Sequence, residues 1–191
     1  MSEILRPQQG ILFMKVGVHA NEDLESIIAR KTKEIEEAGF ALWGYGGNTC
    51  HPTSMVQPFA RKHAELGEKI MLCMQEMNSQ HFAEQIRAEE FSVDGRTWEK
   101  VPQEINVLGS RFALAIKALH KEEFELPLAK TQVAVGNSQG KVGSQYIKGR
   151  VDKACLELTD LAPAPAEPGE PAVQIKLVAE LCEPYAVFLK N

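Results

Sequence analysis

Phe40-Ala41-Leu42-Trp43-Gly44-Tyr45-Gly46-Gly47-Asn48-Thr49-Cys50-His51-Pro52 is the stretch on which the reading of this chain turns. A short apolar run of strand-forming residues leads into two aromatics interleaved with glycines, and these open onto an amide, a hydroxyl, a thiol and an imidazole. Glycine beside Trp43 and Tyr45 removes the Cβ that would hold a backbone or a planar ligand at a distance. The segment reads as a strand ending in a pocket wall, with a tight turn carrying two core aromatics as the competing reading.

Toward the N-terminus, residues 11–19 are apolar on both alternating faces except at Lys15, which predicts a central strand. Asn21 then offers an N-cap, and Leu24, Ile27, Ile28 and Ile35 recur at helical spacing until Gly39. Beyond the opening stretch, a short helix is expected over 56–66 and a compact strand over 70–74. Asp94-Gly95 predicts a hairpin over 91–98 with a type I′ turn. The run at 112–119 fits either a strand or a buried helix. Further strands are expected over 126–135 and 153–158. The prolines between 161 and 171 mark an extended linker, and 173–181 with 185–189 suggest a terminal hairpin turning at Glu183-Pro184. The expected organisation is a mixed α+β domain over 1–160, a linker over 161–172 and a C-terminal β hairpin or arm over 173–191. That arm would dock on its own subunit or on a neighbour, making a homo-oligomer.

Composition limits the function. The 191 residues are 44% hydrophobic and 25% charged, with a formal net charge of -5. Duplex affinity comes largely from Lys and Arg displacing counterions, so an extended nucleic acid is not favoured as a partner, whereas a nucleotide or a single base is compatible. The four cysteines contain no CxxC pair, and the histidines show neither HxH nor HExxH spacing, so no metal site and no cofactor is expected. No apolar run approaches the roughly 20 residues that span a bilayer, and the expectation is a cytoplasmic protein without membrane contact.

The order strand, helix, strand ending in Trp-Gly, a nearby Asn, then Gly-acidic-Lys leading into an apolar strand is similar to EVE domains, which belong with YTH and ASCH domains in the PUA-like superfamily. The matching pieces are Trp43-Gly44-Tyr45-Gly46-Gly47-Asn48 and Leu66-Gly67-Glu68-Lys69-Ile70-Met71-Leu72-Cys73-Met74. The likeness covers residues 10–80. It departs from the EVE pattern at Gly47, where a basic residue is usual, and at Met77-Asn78-Ser79 in place of Tyr-x-Ser. The resemblance implies a PUA-like β pseudo-barrel with flanking helices that binds a modified base or nucleotide in an aromatic-lined pocket. It carries over Trp43 as a pocket aromatic and Asn48 as a polar reader.

From the residues themselves, Trp43 and Tyr45 offer stacking surfaces and Asn48 both donates and accepts. Lys15 and His19 sit on the strand expected beside this one. The 136–144 loop offers a phosphate cradle through Ser138 and Lys141. It is not a P-loop, because three residues rather than four separate Gly136 from Gly140 and Val142 follows the lysine. The leading reading is a non-catalytic binding domain for a nucleotide, nucleobase-derived small molecule or modified base. The alternative is an enzyme using Cys50 with a distant histidine on a nucleotide-like or acyl substrate, since adjacent side chains on an extended segment diverge and His51 is poorly placed to serve. A third reading is an assembly protein that uses the C-terminal arm.

Overall fold

A computed structural model describes residues 9–46, 50–81, 83–148, 151–159 and 172–191. The chain begins with β1 (Gly10–His19), whose first four residues are buried as the two-sided apolar pattern requires. Helix α1 (Leu24–Ala38) follows. Its N-cap is Asp23, whose carboxylate accepts the Ser26 N–H at 2.8 Å, and it ends at Gly39, whose N–H donates to Ile35 O. The Ser26 amide also holds the Asp23 carboxyl below its ordinary value. Asn21, expected as the cap, instead takes a left-handed conformation with φ of 62° in the turn where His19 and Glu22 pair. An asparagine tolerates that region, so the cap falls two residues later.

The remaining elements are β2 (Ala41–Gly44), a π-helical turn (Pro52–Val56) running into α2 (Gln57–Glu65), β3 (Met71–His81), β4 (Glu90–Ser92), β5 (Glu99–Lys100), β6 (Phe112–Leu126), a 3-10 turn (Leu128–Lys130), β7 (Thr131–Val133), α3 (Gly143–Tyr146), β8 (Lys153–Leu158) and β9 (Val173–Lys190). The run at 112–119 is therefore strand. The hairpin at 91–98 exists as β4 and β5, but its connection is longer than a two-residue turn. The Asp94 carboxylate accepts the N–H groups of Arg96 and Thr97, which hold its pKa down to about 2.

The described strands form one mixed sheet in the order β2-β6-β9-β3-β1-β8-β7, with β4 on β9 and β5 on β4. β1 and β3 are parallel and the other pairs antiparallel. The C-terminal segment is not the expected hairpin or arm. It is one strand, β9, with β6 on one edge and β3 on the other. Leu114 and Ile116 of β6 oppose Ala186 and Leu181, so the residues around Pro184 form a bulge in the strand, where the missing proline N–H is tolerated. On one edge β6 runs along most of β9, and on the other β3 pairs with Leu177–Glu180 and β4 with Phe188–Lys190. The linker at 161–172 lies almost wholly outside the described residues.

The fold is thus mixed α and β with an open sheet rather than a closed barrel. β2 and β1 stand apart in the strand order, yet Trp43 and Ala41 share one apolar cluster with Leu12 and Val16. The sheet must curl to bring them together, and α1, the π-helical turn and α2 lie in the concavity through Ile27, Val56, Phe59 and Ala60. Odd residues of β1, Ile11 and Phe13, join a second cluster on the other face, with Leu126, Leu128 and Ile147. A third cluster joins Leu42, Ala113 and Ala115 to the 101–107 segment. Among the described residues, no helix is long and apolar enough to cross a membrane.

Candidate functional site

β8 accompanies β1 only as far as Met14, which faces Lys153, with one further bond from Lys15 N to Asp152 O. Beyond that point no further strand pairs with β1 on the β8 side among the described residues, His19 bridges to Glu22, and the ladder with β3 shifts register between Val16 and Val18. Bulges of this kind bend a strand and re-aim its side chains, and they recur beside binding sites. This second half of β1, the flank of α1, the end of β2 and the 107–111 loop line a cavity of about 450 Å³.

The loop is fastened by α1. Glu34 accepts from Arg30, from Lys31 and from the Asn106 N–H, at 3.1, 3.0 and 3.0 Å. Arg30 and Lys31 both donate to the Asn106 carbonyl, and His19 Nε2–H donates to Leu108 O at 2.9 Å. Two glycines allow the close fit. A Cβ on Gly44 would stand 2.4 Å from Ser110 Oγ, and Gly109, at φ of 59°, lies where a Cβ would strike Ala83 and Glu84. The bare backbone after Trp43 therefore admits this loop at Gly44, while at Gly46 a Cβ would meet nothing within 4 Å.

Charge gathers at the cavity. Arg30, Lys31, Arg111 and Lys153 line it together with Asp152, while Lys15 borders it with its side chain on the other face of the sheet. The Lys31 side chain is only 3% exposed, and burial pulls its amine down to about 8 despite the adjacent Glu34. Arg30 is bound by Glu22 at 2.6 Å and by Glu34 at 3.1 Å. Lys153 lies opposite Met14 and next to Cys155, so its side chain leaves the face of the sheet that holds the concave core, and it pairs with Asp152 at 3.0 Å. Neither Lys31, Arg30, Arg111 nor Lys153 was legible as a site residue. Their sequence neighbourhoods are an ordinary charged helix face, a loop and a strand start, and only the long-range curl brings them together.

Trp43, Lys15 and His19, expected together from the sequence, all line this cavity, although β1 and β2 are not neighbours in the sheet. Trp43 is 4% exposed, most of its ring being packed in the core. Alternation from Ile11 and Phe13 sends the Lys15 side chain from the opposite face to Met14 and Val16. Tyr45 has no surface for a ligand. It is wholly buried, and its hydroxyl donates to Cys50 Sγ at 3.0 Å. Ser138 and Lys141 are not brought to the cavity. The N–H groups of Gln139, Gly140 and Lys141 donate to Gly136, Val133 and Ser138 carbonyls, so these three groups of the turn are engaged within the chain. Asn48 lies outside the described residues.

Cys50 sits in the concave core against Tyr45 and Cys155. The Cys155 thiol, with Tyr45 in support, holds it below its ordinary value against the opposing effect of burial, while Cys155 itself is pushed up. His51 turns away to pack edge-on against Phe112 and Phe188, and His63 is held between Glu68 and Glu157. No histidine is recorded as a partner of Cys50 among the described residues. Nor is any group of three or more His, Cys, Asp or Glu side chains placed there to hold a metal ion.

Comparison with protein-family models, curated proteins and solved structures returned no match to this chain.

Proposed function

We propose that the chain is a non-catalytic binding domain for a nucleobase-derived small molecule, a nucleotide or a modified base, held in the cavity beneath α1 against the uncovered part of Trp43. Its open, curled sheet is proposed as a variant of the PUA-like architecture, in keeping with the likeness to EVE domains. The observation that carries the reading is a cavity of about 450 Å³ that combines Trp43 and aliphatic walls with a few cationic groups. Its volume lies within the roughly 300–1,000 Å³ that small-molecule sites occupy, and such sites are mostly apolar with few polar groups. The buried thiol, partnered by a tyrosine and a second thiol, supports binding over covalent catalysis.

A thermal-shift panel of ribonucleosides, nucleotides and modified nucleosides tests the reading, because a ligand that binds only the folded state raises Tm. Trp43→Phe keeps a ring in the core and reduces the stacking surface. Trp43 is 4% exposed, so the ligand meets only the uncovered part of its ring, and the substitution should weaken binding modestly, about twofold to threefold. Gly46→Leu introduces a side chain into open space beside the cavity and should also reduce the shift. No shift across the panel, or the same shift in both variants as in the parent chain, would sink the proposal.

A further inference from the structure

The lining cations are not equally occupied. Arg30 and Lys31 already have Glu22, Glu34 and the Asn106 carbonyl. Lys153 has Asp152, whose side chain is 40% exposed, while its own is 10% exposed. The exposed Arg111 side chain has no ion-pair partner recorded among the described residues. The Lys153 ammonium, paired with Asp152, and the Arg111 guanidinium belong to the lining of the same cavity, so two cations accompany one carboxylate there in a chain of net charge -5. The chemistry that fits is a compact dianion. A guanidinium presents a planar fork that matches two phosphate oxygens, and an ammonium adds a point charge.

Resting on the nucleobase-binding reading above, we propose that the ligand carries a phosphate group contacted by Lys153 and Arg111, so that the cavity selects a nucleoside monophosphate over the free nucleoside. The phosphate then lies at the β8 start and the 107–111 loop, not at the glycine-rich 136–144 turn. The base lies toward Trp43 on the β2 side of the same enclosure. A polynucleotide is disfavoured as the source of the phosphate by the acidic chain and by the size of the cavity.

Isothermal titration with the four ribonucleosides, their 5′-monophosphates and inorganic phosphate tests this on the full chain, on Lys153→Met and on the exposed-site variant Arg111→Ala. The parent chain should bind at least one monophosphate about tenfold tighter than its nucleoside, as a charge-assisted contact implies. Each variant should lose that advantage and keep its nucleoside affinity. Equal affinity for nucleoside and monophosphate overturns the proposal, and so does an advantage that survives Arg111→Ala at unchanged Tm. Those outcomes leave the nucleobase reading standing. Binding of inorganic phosphate that both variants abolish, with no nucleoside bound, would support the anion site and overturn the nucleobase reading. No binding of any probe overturns both.

Discussion

Lys31 is an amine enclosed by its own helix and the 105–107 segment, where Glu34, Arg30 and the Asn106 carbonyl face it and Glu22 lies behind Arg30. Its folded pKa is about 8, below the 10.4 or so of a free lysine. Below pH 8 both folded and unfolded chains hold the proton, and the folded state bears the full desolvation cost. Between about 8 and 10.5 the unfolded chain binds more protons, so this group makes stability rise with pH. Urea unfolding at pH 7.5 and 9.5 should show the parent chain gaining roughly 2 kcal/mol relative to Lys31→Met across that interval. Parallel pH profiles would contradict the assignment. Cys50 gives a second residue-scale outcome. Its thiol is buried whereas Cys182 is half-buried, so iodoacetamide mapped by mass spectrometry should label Cys182 first. Labelling of Cys50 at an equal rate would revive a nucleophilic role.

At the scale of elements, α1 fastens the loop that closes the cavity, and Glu34 is the joint. Glu34→Gln leaves Lys31 and Arg30 without their shared buried carboxylate, and removal of one side of a buried ionic network costs about 3–5 kcal/mol. The same variant should speed hydrogen exchange at Asn106 and Gly109, whose N–H groups bond Glu34 and Ile86. Unchanged exchange there would separate the loop from the helix. Elements with local signals were legible. β1 and β8 show through continuous apolar runs, and α1 through its apolar spacing, although its cap lies at Asp23 rather than Asn21. β9 was not legible, because Glu183-Pro184 is a turn signal in isolation, and only pairing with β6 turns it into a bulge. In the sequence the 136–144 loop reads as a phosphate cradle, and three of its N–H groups bond within the chain. Glycine-rich composition does not reveal which N–H groups point outward and which, like those of Gln139, Gly140 and Lys141, bond back within the chain.

At the scale of the molecule, the site depends on curvature. Trp43 on β2 and His19 on β1 belong to strands that do not pair in the sheet, and both line the cavity beside α1. The sequence groups Trp43, Lys15 and His19 on the expectation that their strands are neighbours, whereas three strands separate β2 from β1. It could not show that Tyr45 turns inward to Cys50 or that Lys153 and Arg111 arrive from the far half of the chain, since strand pairing over such separations leaves no local pattern. The central claim is that this enclosure, with Trp43 in its wall, is where the ligand sits. The chain has two tryptophans, and Trp98 is elsewhere, beneath Lys190 at 4.8 Å. In a Trp98→Phe protein the fluorescence comes from Trp43 alone, and titration with ribonucleoside 5′-monophosphates should change its emission saturably. Emission that stays constant while calorimetry records binding would place the ligand away from Trp43 and contradict the account.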